Sequence, residues 1–393
     1  MIKKILIAFL LLLFCWAIYL MQVDPEAEAF FYSYPGQEKI NKEINNWLNN
    51  KPVKIPLVGD VDRFTCWLNK KRLSSEAGDA CPTNEELREF ISQNQILLDK
   101  YQLYKKDPEE SELLSGQTLL DGHRLFVANL YLISLKGSLE DVLNLLVEDD
   151  GVWRKKLQSE STGWVEFALN MVHQNLNRGV LFDILITDRN FTKPEYLQLK
   201  NLLTPINVND IDIKKILRGE FELLKMTLPT FRRKEHQVEG LFTGSFINHV
   251  YENVQTFLKD TRLPFSELCA ASQGKNYQDQ YSLSSNLTKF FKYGPTSYKT
   301  SIFFDPYIST HNFNLFLYLH ELNVRRKLLG FIVLLKEKNI SSSQIITFIK
   351  DNPDLATNPL TGNLFGYDQE EKKISIDATE CSEPWSISLS NFN

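Results

Sequence analysis

The chain has 393 residues, of which 43% are hydrophobic and 24% are charged. This balance excludes a disordered chain, a collagen-like chain and a protein with many membrane spans, and it predicts a globular body. The formal net charge of −5 provides no global cationic field, so we expect no nucleic-acid partner. The 17 glycines and 15 prolines are fewer than average, which favours long helices over a β-barrel or a β-sandwich.

An uncharged apolar segment lies near the amino end. Residues 5–21 read ILIAFLLLLFCWAIYLM and directly follow Lys3 and Lys4. A membrane-spanning helix needs about 20 such residues, with about 17 as the lower limit. Because positive residues stay in the cytoplasm, we predict a cytoplasmic stub at 1–4 and a transmembrane signal anchor at 5–22. The rest of the chain is then a periplasmic body tethered to the bacterial inner membrane.

A cleaved signal peptide is an alternative interpretation of the same segment, and a buried soluble helix is another. Ala27-Glu28-Ala29 has the small-x-small pattern of a cleavage site. The acidic spacer before it and the bulky residues 19–21 favour an uncleaved anchor. The exported part is more acidic than the whole chain, so we expect it to stand away from anionic lipid on a tether.

Four cysteines follow the apolar segment: Cys66, Cys81, Cys269 and Cys381. Four thiols allow three pairings. Cys66 and Cys81 flank a polar loop, so we expect a disulfide between them, worth about 3 kcal/mol, which leaves Cys269 to pair with Cys381. Four buried, reduced thiols are the alternative. No Cys-x-x-Cys occurs and the six histidines are scattered, so we expect no metal and no cofactor.

Residues 23–115 are predicted to form a region of helices and loops that holds the first disulfide. Phe30 and Phe31 are expected either at the membrane interface, against a neighbouring subunit or in the core. Thr83 and Glu86 match a capping box, which predicts a helix from there to about Tyr104. A charged linker should follow it.

Residues 116–350 are predicted to form a helical core domain. Leu139, Val142, Leu143 and Leu146 have the i, i+3, i+4, i+7 spacing of an amphipathic helix, and a similar pattern recurs after Trp164. These helix pairs predict a helical bundle with repeat-like packing, although a stacked solenoid needs at least three copies. More helices are expected around 213–224 and 247–258. Residues 312–338 should form a buried core helix and not a second membrane span.

Residues 351–393 are predicted to form a carboxy-terminal hairpin and tail. Residues 358–362 read as a turn, and residues 364–367 and 373–376 alternate like two short strands. The predicted fold class is therefore mainly α, with one amino-terminal transmembrane helix and a short carboxy-terminal β-hairpin.

Three motifs imitate elements of penicillin-recognising serine enzymes. S-x-x-K begins at Ser272 and S-x-N at Ser284, and Lys299-Thr300-Ser301 imitates the K-T-G element. They lie too close together to enclose the helical domain that separates them in such enzymes, and Gly274 indicates a loop where a helix is required. We therefore predict no serine catalytic site.

The remaining titratable residues also form no recognisable site. His320 begins like a zinc-protease H-E-x-x-H motif, but the second histidine is absent. His123, His173 and His249 have no partner at ligand spacing, so we interpret them as structural. Paired carboxylates such as Asp149-Asp150 are interpreted as solvent-exposed. We predict no catalytic, cofactor-binding or metal-binding residue.

Several short passages resemble a group of uncharacterised proteobacterial proteins with a single inner-membrane anchor and a helical periplasmic body. They are Val152-Trp-Arg-Lys-Lys-Leu157, Arg218-Gly-Glu220, and the Asn-Pro-x-Thr-Gly turn at 358–362 followed by Tyr367. The resemblance implies an inner-membrane protein that faces the periplasm. It implies no catalytic residue.

The function expected from these observations is that of an interaction scaffold or assembly factor. A helical body without a catalytic motif often presents a surface to another protein. The expected partners are the membrane, through the amino-terminal helix, and a protein that the sequence does not identify. A cell-envelope hydrolase of unrecognised type is the alternative.

Overall fold

A computed structural model describes residues 22, 24–32, 37–38, 40, 42, 53–65, 82–106, 114–136, 139–160, 166–173, 191–227, 243–274, 314–382 and 384–389. The mainly-α prediction is confirmed, because 72% of the described residues are helical. The helices are, in chain order, α1 (Pro25–Tyr32), α2 (61–65), α3 (Asn84–Gln93), α4 (Gln95–Lys106), α5 (Gly116–Lys136), α6 (Leu139–Lys155), α7 (166–173), α8 (Lys193–Leu202), α9 (Ile213–Thr227), α10 (Thr243–Asp260), α11 (Phe265–Gly274), α12 (314–337), α13 (Ile345–Asp351) and α14 (Pro353–Ala356). A π-helical turn, Lys156–Glu160, continues α6.

The chain divides into two compact units, and each is discontinuous in sequence. The described residues of the first unit lie within 1–48 and 212–317. Those of the second lie within 49–161, 165–211 and 318–393. The domain boundaries expected after residues 115 and 350 stay predictions.

The first unit packs α1 against α9 and α10 through aromatic side chains. Phe31 is fully buried and stacks on Phe221, with 3.9 Å between the ring centroids. Phe30 lies edge-on to Tyr251 at 5.7 Å. Arg218 of α9 donates from Nε to the carbonyl oxygen of Phe30 at 2.9 Å, and its guanidinium lies 4.7 Å from the centre of that ring. Three locations were expected for Phe30 and Phe31, and both side chains lie in the core.

The residues before α1 are also held by α10. The side chain of Asn248 accepts a hydrogen bond from the Asp24 amide at 2.7 Å and donates one to the Gln22 carbonyl at 2.9 Å. Tyr251 donates to the Glu26 carboxylate at 3.2 Å, and burial together with that carboxylate raises the pKa of Tyr251. Residues 24–32 therefore belong to the folded body.

The second unit begins its helical core with the predicted capping box. Thr83 Oγ1 accepts from the Glu86 amide at 3.3 Å, and the Glu86 carboxylate accepts from the Thr83 amide at 2.7 Å. Arg63 also donates to this carboxylate. These hydrogen bonds, with that of Arg63 the largest effect, lower the pKa of Glu86 to about 2. The helix start predicted from the sequence is confirmed.

The helix expected to run from Thr83 to Tyr104 is instead two helices, α3 and α4, and Asn94 separates them. The Asn94 side chain accepts a hydrogen bond from the Val58 amide and donates one to the Val58 carbonyl, each at 2.8 Å. It also donates to the Phe90 carbonyl. This distant partner gives the chain an alternative to continuous helix.

The carboxy-terminal hairpin is confirmed and extended. Strands β1 (Gly366–Asp368), β2 (Lys373–Ile376) and β3 (Trp385–Ser388) form an antiparallel sheet in the order β1-β2-β3. Ile374 pairs with Tyr367 on one side and with Ile387 on the other. Ile374, Ile376 and Ile387 are buried in the core of the second unit. The sequence analysis missed β3.

No helix within the described ranges is long and apolar enough to cross a membrane. The anchor predicted at 5–22 lies outside the described residues except for Gln22.

Candidate functional site

Four helices of the second unit bring polar and aromatic side chains together in its interior. Tyr101 and Lys105 lie one turn apart on α4, and Asp149 and Trp153 lie one turn apart on α6, so each pair faces the same side of its helix. His123 comes from α5 and His173 from α7. We call these six residues the buried polar cluster. Tyr101, His123, Asp149 and His173 are all 0% exposed.

Two histidines form the centre of the cluster. The Nδ1 atoms of His123 and His173 are 2.8 Å apart, a hydrogen-bond distance. On the other side of its ring, His123 Nε2 lies 3.3 Å from Oδ2 of Asp149. Asp149 accepts a hydrogen bond from the Tyr101 hydroxyl at 2.8 Å. The Tyr101 oxygen in turn accepts from Trp153 Nε1 at 2.9 Å.

Aromatic packing fixes the orientation of the histidines. The ring of His173 stacks on Trp153 with 3.7 Å between centroids and an interplanar angle of 3°. His123 stacks on Tyr101 at 5.6 Å. Gly122 allows this close approach, because a Cβ atom at that position would lie 2.7 Å from the Tyr101 Cβ.

Lysine side chains provide positive charge at the edge of the cluster. Lys105 Nζ lies 3.9 Å from Asp149 and 3.8 Å from Glu148. It also lies 4.2 Å from the centre of the Phe126 ring. Lys156, in the π-helical turn, donates to the Tyr104 hydroxyl at 2.8 Å.

A second buried charged group lies on the neighbouring side of α6. Asp150 accepts from Arg154 at 3.1 Å and lies 3.5 Å from Arg326 of α12. Arg326 also donates to the carbonyl oxygens of Leu202 and Thr204 at 3.3 and 3.1 Å. Asp149 and Asp150 are 0% and 7% exposed, so their interpretation as a solvent-exposed pair was wrong. Each carboxylate has cationic groups that compensate its burial.

The geometry of the buried polar cluster suits the holding and sharing of protons. Its histidines and Asp149 have no surface exposure, so a substrate does not reach them in this conformation. Within the described residues, no group of three or more His, Cys, Asp and Glu side chains could hold a metal ion. The hydrogen bonds and ring stacks of the cluster connect α4, α5, α6 and α7.

The predicted disulfide candidates have different outcomes. Cys269 and Cys381 are both disulfide-bonded, as expected. Cys66 and Cys81 lie outside the described residues, so their pairing stays a prediction.

The motif beginning at Ser272 lies in a different setting from the one predicted. Ser272 and Gly274 belong to the last turn of α11, so the expected loop at Gly274 was wrong. The motifs at Ser284 and Lys299 lie outside the described residues. His320 is partly buried within α12, and burial lowers its pKa.

The pairing of His123 with His173 was not visible in the sequence, because the two residues lie 50 positions apart. The one available signal was that both occupy apolar helical segments, where a polar side chain needs a partner. That signal does not identify which partner.

Comparison of the chain with protein-family models, with curated proteins and with solved structures found no match to any of them.

Proposed function

We propose that this chain is a single-anchor protein of the bacterial inner membrane whose helical periplasmic body acts as an interaction scaffold or assembly factor. Residues 5–22 are the anchor in this proposal, and Lys3 and Lys4 hold its amino end in the cytoplasm. The disulfide bonding of Cys269 and Cys381 supports export, because disulfides persist in oxidising compartments and are rare in the cytosol.

The observation that carries the scaffold role is an exposed aliphatic surface on α4. Ile96 and Leu103 are 72% and 52% exposed. They are two helical turns apart and therefore lie on the same side of α4, about 10 Å from one another along the axis. Asp99 and Lys100 lie between them on that side. We call Ile96 and Leu103 the α4 surface.

The chemistry of the α4 surface fits one kind of partner, an amphipathic helix of another protein. Such a helix presents apolar side chains at i and i+7, which matches the spacing of Ile96 and Leu103. A basic residue beside its apolar stripe can pair with Asp99, which is exposed. The Asn94 side chain fixes the start of α4 by its hydrogen bonds to Val58, so the surface is held in place before binding, which reduces the entropy cost of association.

Site-specific photocrosslinking in native membranes tests this proposal. A photoreactive residue at position 103 should give one discrete protein adduct, and Ile96→Lys in the same chain should reduce that adduct at least tenfold. Position 197 is the matched control, since Leu197 on α8 is 61% exposed but has no exposed aliphatic neighbour one or two turns away along α8. A crosslinker there should give no such adduct.

Two results would contradict the scaffold role of this surface. One is the same adduct at positions 103 and 197, which would indicate nonspecific contact. The other is an adduct at position 103 that Ile96→Lys leaves unchanged while the thermal unfolding of the variant matches that of the wild type.

A further inference from the structure

The two histidines of the buried polar cluster, which we call the His pair, share a contact that restricts how many protons they can bind. A hydrogen bond between His123 Nδ1 and His173 Nδ1 needs a proton on one nitrogen and a lone pair on the other. Two protonated Nδ1 atoms would place two N–H groups face to face at 2.8 Å. The contact therefore survives with one shared proton and opens when each Nδ1 has its own.

The other ring nitrogen of His123, Nε2, limits the protonation states that the His pair can adopt. His123 Nε2 lies 3.3 Å from Oδ2 of Asp149, and a carboxylate at that distance favours a proton on the nitrogen, so we assign one to Nε2. With that assignment the His pair can be neutral or carry a single positive charge while the Nδ1–Nδ1 bond stays intact. A second positive charge requires a proton on both Nδ1 atoms, and it breaks the bond.

The charges around the His pair tolerate one imidazolium ion better than two. Asp149 and, farther out, Glu148 contribute negative charge, whereas Lys105 and Lys156 contribute positive charge. These four charges balance one another. A first imidazolium ion is stabilised by the adjacent carboxylate and by the face of Trp153.

The charged groups on the helices of the pair add little to this balance. On α5, Asp121 pairs with Arg124 at 3.1 Å. Glu166 lies on α7 and is partly exposed. These groups together carry one surplus negative charge, that of Glu166, which offsets one imidazolium ion and leaves a second one without a counter-charge among them.

We propose that the His pair is an acid-sensitive contact between α5 and α7, which opens when both imidazoles become protonated. Opening separates His173 from His123 and disturbs its stack on Trp153, so α7 loses part of its attachment to the second unit. This inference does not depend on the scaffold role.

The sign of the pH dependence follows from the proton count. An unfolded or open chain binds a proton on each histidine in acid, whereas the closed contact holds one fewer. The open form is therefore favoured as the pH falls through the range in which imidazole titrates, near pH 6.5. The equilibrium changes by about tenfold for each pH unit below that range.

Hydrogen exchange of the full chain in detergent tests the inference. The amides of 166–173 should lose protection at least tenfold between pH 7.5 and pH 5.5, after correction for intrinsic exchange rates. In His173→Phe, which keeps a ring on Trp153 but cannot titrate, the change should be less than twofold. His173→Asn, which offers a polar group near the Nδ1 position, should show the same flat response and serves if the Phe variant does not fold.

His320→Gln is the matched control, because it removes a partly buried imidazole from a different helix. In this variant, the amides of 166–173 should lose protection between pH 7.5 and pH 5.5 to the same extent as in the wild type. The inference is overturned if the wild type shows equal protection at both pH values. It is also overturned if the loss in acid is as large in the His173 variants as in the wild type.

Discussion

Arg326 is 4% exposed, although it lies in the middle of a basic tripeptide, Arg325-Arg326-Lys327. Its donors reach two carbonyl oxygens at the end of α8, where the helix dipole is negative. Asp150 supplies the compensating charge. A buried cation that loses its counter-ion is strongly destabilising, whereas a matched apolar replacement of both partners is often neutral.

We therefore expect Asp150→Ala to reduce the free energy of unfolding by about 3 kcal/mol or more, measured by urea denaturation. Asp141→Ala is the control, since Asp141 is exposed on the same helix, and it should change the free energy by less than about 0.5 kcal/mol. The double variant Asp150→Ala/Arg326→Met should recover much of the loss. A loss below 1 kcal/mol in Asp150→Ala would show that this ion pair does not stabilise the fold.

At the scale of helices, the packing of α5 on α4 depends on Gly122. This position is buried and faces the Tyr101 side chain, so a methyl group there would collide with the Tyr101 Cβ. Gly151 on α6 is different, because nothing lies within 4 Å of the position of its missing Cβ. Both glycines lie within helices, where alanine has the higher intrinsic propensity by about 1 kcal/mol.

The same substitution should therefore have opposite effects at the two glycines. Gly122→Ala should destabilise the protein by about 1–3 kcal/mol, because overpacking outweighs the propensity gain. Gly151→Ala should stabilise it by about 0.5–1 kcal/mol. Thermal and urea unfolding of both variants measure this difference. Effects of the same sign would indicate that α4 and α5 can move apart at Gly122 with little loss of stability.

Elements with local signals were predictable, and elements set by distant contacts were not. The capping box of Thr83 and Glu86 involves residues three positions apart, so the sequence contains the whole motif. The break at Asn94 depends on Val58, which is remote in sequence. The strand β3 has only four residues, and it is recognisable mainly by its pairing with β2.

The candidate site was less predictable than the fold for the same physical reason. Amphipathic spacing identifies which helix face is buried, but it does not determine which buried polar groups meet. The partners of Asp149 and His173 were not recognisable in the sequence, since their contacts come from other helices.

At the scale of the whole molecule, the folded body begins almost at the end of the predicted anchor. Ala27 is 0% exposed within α1, and Asp24 and Glu26 bond to α10. Cleavage after Ala29 would remove these residues from the first unit. Because cleavage would remove these contacts, we expect the chain to keep residues 24–29.

Intact-mass measurement of the protein purified from membranes checks this expectation. We expect a chain that retains residues 1–29. As a control, an exposed small-x-small site inserted between Met21 and Gln22 should be processed and should release a shorter chain. Recovery of a natural product that begins at Phe30 would contradict the anchored form.

The Asn248 amide holds the backbone on both sides of Val23, through the Gln22 carbonyl and the Asp24 amide. Tension applied to the chain at residue 22 would load these two hydrogen bonds first, ahead of the Phe31–Phe221 stack behind them. We therefore expect a pull at residue 22 to reach α10 through these two hydrogen bonds.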